Sequence, residues 1–402
     1  MQSNPASHHD IAMPDWSAIA AVILGVTAFS VAQGLTYPLI SLTLEARGIS
    51  TTLIGLNAVG FAIGLGTATL TLGALTARFR ANRLIIASLV GCSLCLATFA
   101  ATSSLTTWFI ARFLLGYFAS MIFMLGEAWL NAACPDRLRG RVSGIYGAGM
   151  CAGFAAGPLA IPLLGSERGF GFAITAVYLA IVAFATAMLM FSTRTVPEPS
   201  STRDLFRFFK VAPLLILMVF AFGFADIAAI SAMPVYFVKT GHSEAFAALS
   251  VTILALPTAL AQPFIGLALD RLPRHGVAIA ASLVAALGFL AIPFLEHPVL
   301  ILIDYALMGG AAFSLYTCAL TLLGETYRGG MLVAGSAAYS LAYAVGSGAG
   351  SGLTGSIMAA GGPAAGPLSI GAALLVFTGP FAFSSRAGGR VSGGKVESPR
   401  AS

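Results

Sequence analysis

The chain has 402 residues, of which 58% are hydrophobic and only 9% are charged. Soluble domains carry about 25% charged residues, so this composition excludes an ordinary soluble protein and fits a surface that faces lipid. The formal net charge of +6 does not indicate a nucleic-acid partner, because the basic residues lie in short loops beside long apolar runs.

The chain begins with a polar leader, residues 1–15, that lacks Lys and Arg and therefore the basic flank of a signal peptide. A bilayer core about 30 Å thick needs about 20 apolar helical residues. Runs of this kind lie near 16–40, 51–75, 84–103, 107–131, 143–164, 170–191, 211–238, 246–269, 277–295, 299–322, 331–358 and 367–384. We therefore predict an all-α integral membrane protein with 12 transmembrane helices, called spans one to twelve here.

The Lys and Arg residues are sorted between the gaps that separate these runs. Seventeen of the 21 fall in every second gap or in the C-terminal tail, and the other gaps hold only Arg47, Arg168 and Lys239. Loops that stay in the cytoplasm are enriched in Lys and Arg. This alternation predicts that both termini are cytoplasmic and that the chain crosses the membrane several times.

The longest charged gap, residues 192–210, divides the chain into two sets of six spans, residues 16–191 and 211–384. We predict that this gap is a cytoplasmic linker that ends in a short amphipathic stretch. The tail, residues 385–402, is polar and rich in Gly and Ser, and we predict that it is disordered. Two six-helix repeats are typical of transporters that work by alternating access.

The two halves repeat a short motif after spans two and eight. It reads GALTARFRANR in the first half and GLALDRLPRHG in the second, and its Arg78 and Arg271 are 193 residues apart. This motif resembles the signature of the major facilitator superfamily, in which an Asp precedes the Arg. Asp270 fits that pattern, whereas Ala77 replaces the Asp in the first half.

Spans four and five add to the resemblance. Span four has Arg112, Gly116 and Ser120 at the spacing of the superfamily's R-x-x-x-G-x-x-x-A pattern, and span five has part of its antiporter pattern. An E-x-W-L-N sequence that begins at Glu127 resembles a bacterial subgroup of that superfamily, which implies a multi-pass protein of the bacterial inner membrane. The resemblance implies that spans one, four, seven and ten surround a central cavity. It also implies that the glycine-rich spans five and eleven meet the opposite half.

Besides Glu127 at the end of span four, three charged residues lie within the runs, all on spans that the resemblance places around the cavity. A charge at the middle of a membrane helix costs about 2.5–3.5 kcal/mol on insertion scales, so those that remain usually serve a function. Asp226 lies near the midplane of span seven, within AFGFADIAAI. We interpret it as a proton carrier or substrate ligand, with Gln33 of span one as a polar partner. The alternative is a carboxylate held permanently by a neighbouring helix.

The other two charged residues are Arg112 in span four and Asp304 in span ten, which are 192 residues apart. Each lies near the predicted external end of its span. We predict that they form an external gate, closed as a salt bridge when the cavity faces inward. Two alternatives for Arg112 stay open: it binds substrate or a proton-carrying partner directly, or its role is structural.

A further charged cluster is expected at the cytoplasmic ends of the spans. Glu127 ends span four too far from the predicted gate to pair with it, whereas Arg78 and Arg83 are nearer in the topology. We predict that Glu127, these two arginines, Asp270 and Arg271 form a conformational latch.

The sequence contains no P-loop, nucleotide fingerprint, catalytic triad or set of metal ligands. We therefore expect no enzyme activity, no cofactor and no metal. The sequence favours a monomeric secondary active transporter that moves a small neutral or amphipathic solute through the lipid bilayer. Protons are the expected coupling ion, and export is slightly favoured over uptake. The alternative is a membrane sensor or assembly factor that keeps the fold but does not transport.

Overall fold

The computed structural model describes residues 15–134, 136–165, 169–190 and 205–391, and these are helical apart from short connections. The helices are α1 (Trp16–Ala46), α2 (Thr51–Arg78), α3 (Ala81–Ala101), α4 (Leu105–Ala133), α5 (Asp136–Ala156), α6 (Ile161–Leu164), α7 (Phe170–Met190), α8 (Leu205–Val211), α9 (Pro213–Ile227), α10 (Met233–Lys239), α11 (Glu244–Arg271), α12 (Arg274–Ala291), α13 (Pro298–Thr326), α14 (Gly329–Gly361) and α15 (Ala365–Val391). Short 3-10 turns occur at Gly157–Ala160 and Ile292–Phe294, and a π-helical turn occurs at Ala228–Ala232.

The prediction of an all-helical membrane protein is confirmed for the described part of the chain. Ten helical stretches there are long and apolar enough to cross a membrane. The two other predicted spans, 246–269 and 331–358, lie within α11 and α14, which have 28 and 33 residues. Some side chains of both helices lie outside the described residues, so the total of 12 spans stays a prediction. The side of the membrane on which the termini lie also stays a prediction.

Local sequence explains where several of these helices begin. Ser50, Ser104 and Ser243 precede α2, α4 and α11, and each hydroxyl accepts an N–H from the first turn of its helix. The ends agree less well with the sequence, because apolarity alone does not mark where a helix stops. Helix α1 continues to Ala46, beyond the predicted end at 40, and α15 continues to Val391, into the predicted tail.

The predicted amphipathic end of the linker corresponds to α8, while residues 191–204 lie outside the described part. Leu205 and Phe208 of α8 are fully buried, whereas Phe206 is 66% exposed. The Phe208 ring lies 5.1 Å from the ring of Tyr327 and 6.2 Å from that of Tyr339. Helix α8 is therefore packed into the second half.

The most extensive contacts between the halves are those of α2 with α14 and of α5 with α11. A Cβ atom at Gly55 of α2 or Gly355 of α14 would collide with the backbone of the other helix, so these glycines permit the close approach. Thr252 of α11 donates to the carbonyl of Ala155 in α5 over 2.7 Å. Spans five and eleven thus do meet the opposite half. The glycines of α5 behave differently from expectation, because Gly153 packs against α1 of its own half.

Candidate functional site

A central cavity of about 350 Å³ lies between the two halves. We call the face at which α1 begins the proximal face and the face at which it ends the distal face. Helix α4 ends proximally, because the N–H of Asp15 at the start of α1 donates to the carbonyl of Ala133. The cavity extends from Gln33 and Asp226 to Glu127 in the last turns of α4, where the side chain is exposed. The cavity is therefore open toward the proximal face.

Asp226 and Gln33, the predicted substrate and proton ligands, both line this cavity. They are 193 residues apart, which is the offset between the two copies of the repeated motif. Tyr343 of α14 donates its hydroxyl to Oδ2 of Asp226 over 2.7 Å. Asp226 thus faces the cavity and also has a hydrogen-bond partner on a neighbouring helix, so the geometry combines the two alternatives drawn from the sequence.

The π turn follows Asp226 almost immediately. Within it, the N–H of Met233 donates to the carbonyl of Ala228, five residues back. The next such bond would run from residue 234 to Ala229, but Pro234 has no N–H. Tyr305 of α13 donates its hydroxyl to that carbonyl over 2.8 Å, which satisfies the acceptor that proline leaves open. The sequence suggested nothing of this contact, although a proline near a functional carboxylate is a reason to expect an irregular helix.

Arg112 lies behind the cavity wall and does not line the cavity. Its side chain is 1% exposed, and its guanidinium lies 5.0 Å from the ring centres of both Tyr37 and Phe61. Two aromatic faces at that distance stabilise a desolvated cation, although Nε has no hydrogen-bond partner. Tyr37 itself lines the cavity, so this ring separates the cation from the cavity space.

The two residues of the predicted gate are not in contact in this structure. Asp304 lies against α12, where a Cβ atom added to Gly288 would be 3.1 Å from its Oδ1. Its Oδ2 has no hydrogen-bond partner. Arg112 contacts rings of α1 and α2 instead. The carboxylate and the guanidinium therefore face different helices.

Another pair of opposite charges joins the two halves at the distal face. Lys239 at the end of α10 lies 2.8 Å from Glu45 at the end of α1, and their side chains are 34% and 16% exposed. One turn deeper, Ser41 and Ser231 share a hydrogen bond of 3.1 Å. Both contacts join the first half to the second. The sequence contained an indication of this ion pair. Glu45 and Lys239 have opposite charges and are 194 residues apart, which is one residue more than the repeat offset, so they lie at nearly equivalent positions of the two halves.

The described members of the predicted latch do not form ion pairs with one another in this structure. Glu127 lines the cavity, while Arg78 and Arg83 are exposed and form no ion pair with it within the described residues. Arg271 is also exposed, and the side chain of Asp270 lies outside the described residues. The interpretation missed Glu127 as a cavity residue because position along a helix does not tell which face a side chain occupies.

Three comparisons with known proteins agree with this architecture. Residues 22–350 and 215–398 match the sequence model of the family described as Major Facilitator Superfamily. A Bacillus subtilis protein named uncharacterized MFS-type transporter YfkF is 27% identical over 326 residues, which are 79% of this chain and 82% of that protein. Two crystal structures of the nucleoside transporter NupG, one of them a mutant, superimpose with a TM-score of 0.74. They are 15% and 14% identical and cover 92% and 91% of this chain and 99% and 97% of their own, so this likeness concerns the fold alone.

Proposed function

Because the chain belongs to the Major Facilitator Superfamily, a family of membrane transporters, we propose that it is a proton-coupled secondary transporter of a small solute. One observation carries the proposal. The cavity between the halves holds Asp226 and Gln33 at its end and is closed on one face only. Rocking of the halves would close the proximal face and open the distal one, which exposes the same residues to the other side of the membrane.

Asp226 is the proposed proton carrier. A carboxylate among apolar side chains is costly to keep charged unless it is paired or hydrogen-bonded. Within the described residues, Asp226 accepts one hydrogen bond, from Tyr343, and has no cation beside it. Uptake of a proton would remove the charge, and a change in contacts between states would release the proton. Arg112 is the proposed modulator, acting through the Tyr37 ring.

We propose that the Glu45–Lys239 pair is the external gate in this conformation. Arg112 and Asp304 remain candidates for a contact in another conformation, since each would have to leave its present surroundings to meet the other. With the proximal face placed in the cytoplasm of a bacterium, this structure is the inward-facing state. We further propose that the protein works as a monomer in the inner membrane. Export is preferred over uptake because of the partial antiporter pattern in α5.

The test begins with a thermal-stability screen of the purified protein against metabolites and amphiphiles. A ligand at about 100 times its dissociation constant adds about 2.7 kcal/mol to the free energy of unfolding, which such a screen detects. Each hit is then added to proteoliposomes that contain a trapped pH indicator. We expect proton movement with the wild type and with Glu296→Gln, an exposed control that loses the same charge, and none with Asp226→Asn.

Two results would contradict the proposal. Proton movement of normal size in Asp226→Asn would assign coupling to another group. Solute binding without any movement of solute or proton, together with capture of a protein partner, would favour the alternative of a membrane sensor or assembly factor.

A further inference from the structure

The charges that line the cavity are all of one sign. Among its described lining residues the carboxylic acid side chains are Asp226 and Glu127, and no Lys, Arg or His is present. Among these described lining residues, a solute with a negative charge would meet two like charges and no cation. A solute with a positive charge would find an opposite charge that is already desolvated, and contacts of this kind set specificity by repelling wrong ligands.

The nearby guanidinium does not reverse this balance. Arg112 is 1% exposed and is separated from the cavity by the Tyr37 ring, over which its charge is stacked. A single shielded cation offsets at most one of the two carboxylates. The space accessible to a solute thus stays acidic.

The rest of the wall suits the body of an organic cation. Nine aromatic side chains line the cavity, and three methionines accompany them: Tyr37, Phe123, Phe154, Phe222, Phe289, Phe313, Tyr316, Tyr339 and Tyr343, with Met124, Met150 and Met308. Aromatic faces attract cations as well as apolar groups, and Met side chains adapt to irregular shapes. A small hydrophilic ion would gain nothing from such a wall, whereas an aromatic or aliphatic onium compound gains from both the charge and the body.

The two carboxylates lie at different depths. Glu127 lies at the proximal opening with an exposed side chain, and Asp226 lies further in, bonded to Tyr343. A cation that enters from the proximal face therefore meets Glu127 first. It then moves past the rings to Asp226, whose second carboxylate oxygen is not occupied by the Tyr343 hydroxyl.

We propose that the solute is an organic monocation, an ammonium or other onium group attached to an aromatic or aliphatic body. The cationic group binds beside Asp226 and the body packs against the rings. This inference rests on the proposed function, because it names the substrate class of the same cavity. The sequence led us to expect a neutral or amphipathic solute, and this proposal narrows that expectation to an amphipathic cation.

The experiment compares two probes of the same shape and opposite charge, tetraphenylphosphonium and tetraphenylborate. Equilibrium dialysis with the full-length protein in detergent measures saturable binding of each. We expect tetraphenylphosphonium to bind and tetraphenylborate neither to bind nor to displace it. Asp226→Asn should weaken binding by at least about tenfold, Glu127→Gln should weaken it less, and Glu296→Gln should leave it unchanged. Equal binding of both probes, or full affinity in Asp226→Asn, would overturn the assignment.

The comparison of probes needs no variant, so the test holds even where Asp226→Asn folds poorly. The same protein in proteoliposomes separates the two proposals. Proton movement driven by a neutral solute but not by tetraphenylphosphonium would overturn the cation assignment alone. Saturable binding of tetraphenylphosphonium without movement of cation or proton would overturn transport and leave the cation site standing.

Discussion

Span one and span seven are corresponding helices of the two halves, yet they are built differently. Helix α1 continues without interruption through Pro38. Span seven consists of three pieces, α9, a π turn and α10, and Pro234 lies in the first turn of α10. The two prolines are 196 residues apart, so they do not occupy equivalent positions in a repeat of 193.

The hydrogen bonds of the two spans explain the difference. In α1 the hydroxyls of Thr36, Ser41 and Thr43 each bond to the carbonyl four residues earlier in the same helix. Span seven depends on other helices, because its Ala229 carbonyl is satisfied by Tyr305 of α13 and its Asp226 by Tyr343 of α14. Span one also bonds to other helices, since Tyr178 of α7 donates to the Ala28 carbonyl and Ser41 shares a hydrogen bond with Ser231. In span seven, however, the neighbouring helix replaces a bond that Pro234 prevents the helix from making. The span that carries the proposed proton carrier is therefore the one most sensitive to changes around it.

The largest effect is expected from deletion of Ala232, which removes the extra residue of the π turn. One residue of α-helix corresponds to a rotation of about 100°, so Asp226 and Lys239 can no longer both face their present partners. We expect transport to fall by at least about tenfold, a loss of about 1.4 kcal/mol or more. The proteoliposome assay measures it, and Ala232→Gly, which keeps the length, should transport normally. An active deletion variant would show that the π register is not needed.

Tyr305→Phe should destabilise the protein, because it leaves the buried Ala229 carbonyl without a donor while the ring keeps its place. An unsatisfied buried acceptor costs about 1–3 kcal/mol. Reversible unfolding in mixed micelles measures the change. The matched control is Tyr339→Phe, since Tyr339 donates to the carbonyl of Ala319 inside a regular helix. That carbonyl keeps its helical N–H, so the control should lose less stability.

Pro234→Ala tests the same contact from the other side. The new N–H can reach the Ala229 carbonyl, so the cost of Tyr305→Phe should fall below about 1 kcal/mol in this background. A double-mutant cycle on the free energy of unfolding measures this coupling. Pro38→Ala, combined with Tyr305→Phe, should show no coupling. Equal costs in all backgrounds would mean that Tyr305 does not replace the missing N–H of Pro234.

The smallest effect on stability is expected from Glu45→Gln. The pair with Lys239 is partly exposed, and such pairs contribute about 0.2–1 kcal/mol. Loss of the pair should shift the population toward distal opening by about two- to fivefold. A cysteine at Ser41 should then react faster with a membrane-impermeant thiol reagent. The charge exchange Glu45→Lys with Lys239→Glu should restore slow labelling; unchanged labelling in Glu45→Gln would remove the pair as a gate.

The sequence predicted the fold class and the cavity carboxylate because both follow from the cost of polar groups in lipid. Asp226 lies in a run of Phe and Ala, so a carboxylate with a function can be suspected there without knowing which helices pack around it. Contacts between helices were harder to predict. Arg112 and Asp304 have opposite charges at nearly equivalent positions, but a one-residue difference in offset is enough to turn a side chain by about 100°. The separation of Glu45 and Lys239 is one residue longer than the repeat offset, and the extra residue of the π turn accounts for that difference.

The contact between α8 and the second half has a practical consequence for cutting the chain. Because Phe208 is fully buried beside Tyr327 and Tyr339, the last part of the inter-half segment belongs structurally to the second half. Tyr339 also lines the cavity. A break that expresses the halves as two polypeptides, or an inserted tag, should therefore lie before Leu205. A cut after Val211 would leave the second half without the ring that supports a cavity wall.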